Sequence, residues 1–519
     1  MHSNSMTGAE SLVRTLVAGG INVCFANPGT SEIHFVDALD RVEGIRCVLT
    51  LFEGVATGAA DGYYRMSEVP AATLLHLGPG LANGLANLHN ASKARSGIIN
   101  IVGQHATYHV ALDAPLSSDV EAIARPYSNW IRTSQNSANV SEDGAAAIAA
   151  ARRPPGQIAT LILPADAAWG NAIDPAIGNP PSAPSKASNH SIEMSARALR
   201  LGSRSALILG GGAVRGPALE LAGRIAAKTG CKLICEHLNP RVERGAGRVP
   251  LPRIPYVVDQ AVEMLKDFDQ LVLVGAKPPV AFFAYPNKPS VLTAEGATIT
   301  QLASADQDLR SALEFLAFEL HAHRTSPHLA PRKHIALASG KTTSDGIGAV
   351  IASLLPENAI IIDESLTTGR TFWAQTSEAN PHDWLSSMGG SIGFGLPLAI
   401  GASVGAPDRK VIALEGDGSA MYTLQALWTM AREQLDVTII IFANRGYRIL
   451  QGELASLGSS NPGRRAIDML TLDRPTLDWV ALARGEGVDA GRATNLDEFA
   501  NELNYGFASD GPYLIELII

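Results

Sequence analysis

The sequence predicts an α/β protein made of three doubly wound, parallel-sheet domains. Three observations carry that expectation. Short apolar runs alternate with helix-length amphipathic segments along the chain, the pattern of a parallel sheet wrapped by helices. Two stretches rich in Pro, Ser, Asn and His, "GNPPSAPSKASNHS" from residue 178 and "HAHRTSPHLAPRKH" from residue 321, interrupt that pattern as linkers do. The length, 519 residues, suits about three domains at roughly 150 residues each. The expected domains are residues 1–178, 192–322 and 342–519.

In the first block, "GINVCFANPG", "RCVLTLFEG", "AATLLHLGPG" and "GIINIVGQ" read as buried strands that run into glycine. Between them, "SEIHFVDALDRV", "GVATGAADGYYRM" and "GLANGLANLHNASKAR" read as helices. The second block repeats the scheme with "SALILGGG", "CKLICEH" and "QLVLVGAK". The third supplies "AIIIDES", "KVIALEGDGS", "VTIIIFANRGY" and "PYLIELII".

Composition narrows the function. Apolar residues make up 46% and charged residues 18%, as in ordinary globular proteins. The net charge is −9 with no basic block, so nucleic acid is not an expected partner. No apolar run approaches the roughly 20 residues that span a membrane. "MHSNSMTGAESLVRTL" lacks the basic and apolar regions of a secretory signal. The cysteines, Cys24, Cys47, Cys231 and Cys235, are too few for a disulfide framework, and the last two have no second pair to complete a metal site. A reduced, cytoplasmic protein is expected.

The stretch "VIALEGDGS" delivers Asp417 between Gly416 and Gly418 at the end of an apolar run. A buried carboxylate there costs several kcal/mol unless it is paired or holds a metal. The next strand ends at Asn444-Arg445-Gly446-Tyr447. In a parallel strand–helix–strand unit both carboxyl ends reach the same sheet edge, so Asp417 and Asn444 can meet. A carboxylate, an amide oxygen and a bare backbone carbonyl are hard ligands suited to Mg²⁺ or Ca²⁺. Gly418 and Ser419 open the following helix, where backbone N–H groups favour phosphate. The constellation reads as a metal-bridged diphosphate site.

"GDGSAMYTLQALWTMAREQLDVTIIIFAN" resembles the thiamine diphosphate motif of the 2-oxoacid decarboxylase and acetolactate synthase superfamily. The resemblance implies thiamine diphosphate and Mg²⁺, with Asp417, Asn444 and the Gly446 carbonyl as metal ligands. Gly416, Gly418, Ser419, Gly446 and Tyr447 would surround the diphosphate. Ala443 stands where many members have a second Asn. "LFEGVATGAADGYYRMSEVPAATLLHLGPGLANGLANLHNA" resembles the family's pyrimidine-binding domain. By its position after "CVLTLF", Glu53 is either a helix-capping acid or an acid delivered to a site. The resemblance makes it the proton relay to N1′ of the aminopyrimidine. The cofactor then provides a carbon nucleophile and an electron sink. Ile392, in "GGSIGFGLP", falls where the family wedges a bulky apolar residue between the two cofactor rings. The likeness covers nearly the whole chain. It implies a homo-oligomer, a dimer at least and a tetramer in most relatives, with the cofactor between the first domain of one subunit and the third of another.

Within the family, "FANPGTSEIHF" and "LLHLGPGLAN" look most like benzoylformate decarboxylase and its relatives. Thr30 and His76 stand where that enzyme has a catalytic Ser and His. Its second catalytic His is missing; "GAKPPVAFFAYPNKP" puts Phe282 and Phe283 there. His105 and His109, in "GQHATYHVALDAP", are pocket candidates instead. Gln104 matches the acetolactate synthase branch. That branch has small residues near the position of His76 and a longer, FAD-binding middle domain. Gly210 to Gly212 and Gly216 miss G-x-G-x-x-G spacing, so FAD is not expected. Leu450 and Glu453 are expected pocket-wall residues, and the acid suits a more polar substrate. The expected enzyme is a decarboxylase/carboligase that takes a 2-oxo acid, passes through a C2-carbanion and enamine, and releases an aldehyde or acyloin. The alternatives are an acetolactate-synthase-like carboligase acting on pyruvate, a flavin or nicotinamide oxidoreductase, and a non-catalytic relative.

Overall fold

The apolar runs of the first block become β1 (Val23–Asn27), β2 (Arg46–Leu49), β3 (Ala71–Leu75), β4 (Ile98–Gln104), β5 (Trp130–Thr133) and β6 (Ile158–Pro164). The computed structural model describes residues 6–178, 180–456 and 462–519, so residues 1–5 of the expected first domain lie outside the described residues. The six strands form one parallel sheet in the order β2-β1-β3-β4-β6-β5. Strands β3, β4 and β6 are buried on both faces, as parallel sheets covered by helices require.

The middle block contributes β7 (Ser205–Leu209), β8 (Lys232–Cys235), β9 (Val242–Arg244), β10 (Gln270–Val274) and β11 (Thr298–Ala303). Four of these make a parallel sheet, β11-β10-β7-β8. The third block holds β12 (Ala359–Glu364), β13 (His382–Ser386), β14 (Val411–Gly416), β15 (Val437–Ala443), β16 (Asp489–Ala493) and β17 (Tyr513–Ile518). Its sheet runs β16-β17-β15-β14-β12-β13-β9. The sheets are parallel, as the doubly wound fold class predicts, apart from one edge strand. β9 leaves the middle block and pairs antiparallel with β13 at the sheet edge, an arrangement common on otherwise parallel sheets. It is anchored by the buried Arg244, whose guanidinium lies 3.9 Å over the Trp373 ring and donates to Thr376 Oγ1 at 2.8 Å. The four cysteines are free. Among the described residues, no helix is long and apolar enough to cross a membrane.

Two helices join the first and third sheets. "GVATGAADG" lies in the Glu53–Ser67 helix despite its glycines, because that helix is buried against the Gly395–Gly405 helix. A Cβ at Gly58 would lie 2.5 Å from Pro397 Cβ, and one at Gly62 2.1 Å from Leu398 O. From the other side, a Cβ at Gly401 would lie 1.8 Å from Ala59 O and 2.4 Å from Tyr63 N. These contacts advance together along both helices, so both helices start at the same end. Gly401→Ala should therefore cost roughly 1–3 kcal/mol or more, since backbone on both sides cannot yield. Thermal unfolding measures the loss. Gly452→Ala is the control: nothing lies within 4 Å of its Cβ position, and helix propensity favours Ala by about 1 kcal/mol.

Candidate active site

The Asp417 and Asn444 side chains sit where β14 and β15 end. Gly416 pairs with Phe442 across these strands, so both tips reach one edge, as the spacing predicts. Asp417 Oδ1 accepts from Gly418 N at 2.9 Å and Oδ2 from Arg445 N at 2.6 Å. Asn444 Oδ1 accepts from Gly446 N at 3.0 Å. Burial pushes the Asp417 carboxyl up to about 6, against the pull of those backbone N–H groups. Such an acid is poised to be neutralised by a cation. The Ser419 hydroxyl donates to Gly416 O at 3.0 Å, so it closes the turn. A Cβ at Gly418 would lie 2.6 Å from Tyr447 Cε1, so Tyr447 packs directly on that glycine. Beside Asn444 opens a cleft of about 320 Å³ lined by Thr343, Ser344, Thr367, Thr368 and Arg448 among others. Hydroxyls and a guanidinium suit an anion. Thr367 and Thr368 were not singled out in the sequence, although they follow β12 on the same sheet edge.

Glu364 and Glu415 are register partners on β12 and β14, and both are fully buried. Glu364 accepts from Gly393 N and Gly395 N, each at 2.6 Å. Burial raises it to about 7, and burial together with the adjacent Glu364 carboxyl raises Glu415, which has no backbone N–H donor, well above the usual carboxylate range. Of the two, Glu364 carries the charge more readily because it alone has N–H donors.

Glu53 is the first residue of its helix and is buried. Its Oε2 accepts from Asn83 Nδ2 at 3.0 Å. A Cβ at Gly80 would lie 2.8 Å from Glu53 Oε1 and 3.2 Å from His76 Cβ. The Glu53 carboxylate and the His76 Cβ thus flank one bare backbone position, while the His76 ring lies over Gly29, where a Cβ would come within 2.2 Å of Nδ1. His76 Nδ1 lies 2.8 Å from Glu32 Oε2. An ionised carboxylate only accepts, so Nδ1 bears the proton and Nε2 is the nitrogen that can exchange one. Glu32 is itself held by Gly29 N at 2.8 Å and Ser31 Oγ at 2.7 Å. The hydroxyl brought to this pair is that of Ser31, 3.4 Å from His76 Nδ1; Thr30 is exposed. Sequence reading missed Glu32, Gly80 and Asn83. The spacing of "GTSE" to the glycine before it was the available signal for Glu32.

The other expected pocket residues are spread more widely. Gln104 Oε1 accepts from His105 N at 2.8 Å. His105 lies beside His109, ring centroids 5.3 Å apart and tilted by 52°, and its Nε2 is buried without a partner. Phe282 packs against Gly390, Phe283 is 56% exposed, and Leu450 is exposed on the Arg448–Ser456 helix. Gly210, in the middle-block glycine cluster, lies against Glu236, where a Cβ would approach Oε2 to 2.2 Å.

Comparison with known proteins gives this geometry its context. Residues 6–123 match the thiamine pyrophosphate enzyme N-terminal TPP binding domain, and residues 367–517 match the C-terminal TPP binding domain. A protein of Mycobacterium tuberculosis that carries an acetolactate synthase large subunit name, IlvX, is 49% identical over 515 residues, covering 99% of both chains. The chain belongs to the thiamine-diphosphate-dependent family of decarboxylases and acetolactate synthases. Benzoylformate decarboxylase of Pseudomonas aeruginosa is 29% identical over 532 residues, 96% of each chain. The solved structure of a Rhodococcus jostii RHA1 thiamine diphosphate-dependent 4-hydroxybenzoylformate decarboxylase superposes with a TM-score of 0.84 at 25% identity, covering 98% of each chain.

The residues present fit thiamine diphosphate. Two hard oxygens, from Asp417 and Asn444, converge at one sheet edge beside a hydroxyl-lined cleft, and Gly418 bares the backbone next to them. Among the described residues no group of three His, Cys, Asp or Glu forms a separate metal site. In this thiamine diphosphate enzyme, Gly418→Ala should drive the Tyr447 ring away. Repacking of roughly 1–3 kcal/mol predicts about a ten- to hundredfold weaker grip on thiamine diphosphate, read by calorimetric titration.

Proposed function

We propose that this enzyme decarboxylates a 2-oxo acid and releases an aldehyde or joins the fragment to a second carbonyl compound, in the manner of benzoylformate decarboxylase. The observation that supports the reading is that Glu53 and His76, two proton-exchanging residues, stand on neighbouring backbone: Glu53 Oε1 and the His76 Cβ both approach the bare Gly80. Thiamine diphosphate, when bound, supplies the carbon nucleophile and the electron sink. Glu53, oriented by Asn83, exchanges a proton with N1′ of the aminopyrimidine. His76, held by Glu32, exchanges a proton with the substrate fragment through Nε2. Thr30 or its neighbour Ser31 provides the hydroxyl. Asp417, Asn444 and the Gly446 carbonyl hold Mg²⁺, and Gly416, Gly418, Ser419 and Tyr447 shape the diphosphate seat. Ile392 is the wedge between the rings. Gln104, His105, Phe283 and Leu450 line the substrate side. A second reading, acetolactate-synthase-like carboligation of pyruvate, is favoured by the name of the 49% identical relative. Turnover of benzoylformate and pyruvate, with CO₂ and acyloin scored separately, distinguishes the two. An enzyme that releases CO₂ from neither, nor from other 2-oxo acids, overturns both.

The site is completed by a second copy. Leu51, Tyr108, Leu112, Leu366 and Tyr422 are 42–70% exposed on segments that adjoin the candidate residues, and such apolar surface marks an interface. Glu53→Gln and Asp417→Ala should each abolish turnover alone. If each site joins two copies, mixing the unfolded variants in equal amounts and refolding restores about a quarter of wild-type activity, because half the dimers regain one intact site. No recovery from the mixture argues for sites within one chain.

The elevated Asp417 carboxyl also sets a pH dependence. Its proton competes with the cation, so Mg²⁺ retention should weaken as pH falls through about 6 and level off above it. Metal titrations between pH 5 and 8 would measure this, and retention independent of pH would remove Asp417 from the ligand set.

A further inference from the structure

Ile392 sits in a loop whose neighbouring peptides are both captured by buried side chains. On one side, Asn90 Nδ2 donates to Ser391 O at 2.9 Å, and Ser391 N donates to Asn90 Oδ1 at 3.2 Å. On the other, Glu364 accepts from Gly393 N and again from Gly395 N. Gly393 O accepts from Thr423 Oγ1 at 3.0 Å and from Asn87 Nδ2 at 3.4 Å. Upstream, His89 Nε2 lies 3.0 Å from Gly389 O. Asn90 and Glu364 are each 1% exposed. Loops normally satisfy their backbone with water and move. This one is bonded from two domains, by groups that have no water to exchange with. Gly390 at φ 75° and Gly393 at φ 82° take the left-handed turns that let the loop present Ile392 alone between two captured peptides.

We propose that Glu364 and Asn90 are positioning residues that clamp the peptides on either side of Ile392 and so fix its height. The proposal rests on the reading of Ile392 as the wedge between the cofactor rings. Asn90 belongs to the Leu77–Ala94 helix, which His76 caps, and Glu364 ends β12. The clamp therefore ties the wedge to the element next to His76 and to the edge that carries Asp417. Neither residue needs to touch the cofactor. Their work is to keep an apolar side chain from relaxing when the rings press on it, the preorganisation that proximity catalysis requires.

The test uses Glu364→Gln and Asn90→Ala in the full-length enzyme. Gln keeps one acceptor oxygen and turns an NH₂ toward the second backbone N–H. Hydrogen exchange of residues 387–396 in the cofactor-free protein should quicken by about tenfold or more in each variant. Turnover should fall by about tenfold, with thiamine diphosphate affinity and KM held within about threefold. Combined with Ile392→Ala, neither variant should lower kcat further, since the wedge is already gone. Unchanged exchange in both variants overturns the clamp. So does a fall in cofactor affinity and melting temperature with kcat intact, the signature of a merely structural role. Ile392→Ala at full turnover, or a wild type that turns over no 2-oxo acid, points instead to failure of the underlying reading, and the proposal falls with it. If Glu364→Gln does not fold, Asn90→Ala decides alone.

Discussion

The Glu53–Ser67 and Gly395–Gly405 helices meet backbone to backbone, and that contact governs where the reactive groups stand. Side chains of ordinary size would hold two helices 8–10 Å apart. Here glycines at 58, 62 and 401 remove the spacers, and carbonyls of each helix lie where the other's Cβ atoms would be. Because the helices start at the same end, Glu53 at the head of one and the Ile392 loop before the other are brought to one level. Asn87 seals that level: its Nδ2 donates to Gly54 O at 2.8 Å and reaches Gly393 O. At the opposite end, the buried Arg65–Asp61 pair ties the Glu53–Ser67 helix to β13 and to the segment after the Leu77–Ala94 helix. Arg65 donates to Ser386 O at 2.7 Å, and Ser96 donates to Asp61 at 2.5 Å. A buried ion pair is a poor source of net stability. Here both partners belong to the Glu53–Ser67 helix, so what the pair fixes is the seat of that helix against Ser386 and Ser96.

The third sheet concentrates acids for a related reason. Parallel strands end on a common edge, and backbone N–H groups at the following turns are the only cheap partners for carboxylates there. Asp417, Glu364 and Glu415 all lie at such ends, and burial raises all three. They differ in what meets them. Asp417 takes the amides of Gly418 and Arg445 and lies next to Asn444. Glu364 takes the amides of the loop before the helix. Glu415 meets neither, and is the one pushed furthest toward its neutral form. One sheet edge thus sorts three acids into a candidate metal ligand, a loop holder and a neutral neighbour.

The sequence carried the parts of this arrangement that are local. "GDGS" and the Asn after the next apolar run are separated by one strand–helix–strand unit, so pattern alone brings them together. Glu53 was visible as an acid at the end of an apolar run. Glu32, Asn83, Glu364 and Asn90 were not. Their partners lie 44, 30, 29 and 301 residues away; the spacing of "GTSE" hints at a local cap for Glu32, but nothing in "LANG" or "LHNA" distinguishes a clamp from a solvated polar residue. That Ser31 rather than its neighbour Thr30 bonds to Glu32 is a one-residue matter of turn geometry. A 3₁₀ turn over Thr30–Glu32 directs neighbouring side chains to different sides. The crossing of β9 into the third sheet escaped for another reason: three residues of strand carry too little pattern to read.

The middle block reaches the loop that presents Ile392 through aromatic side chains. Phe282 packs on Gly390, where a Cβ would come within 2.6 Å of its ring. Behind it stand Tyr256 and Phe283, with ring centroids 5.6 and 4.9 Å from Phe282. Tyr285 donates to Glu453 Oε1 at 3.2 Å, so the acid that would have favoured a polar substrate is engaged by a tyrosine instead. An aromatic file from the second block thus ends on the loop that presents Ile392. On the proposed reading, the wall nearest the reacting carbon is apolar and aromatic, which suits a phenyl-bearing acyl group better than a methyl one. None of these side chains holds the cofactor. They can vary without disturbing the helix contact or the strand-tip acids, so on the proposed reading the middle block can reshape the substrate wall it shares with Gln104, His105 and Leu450 and leave the catalytic frame intact.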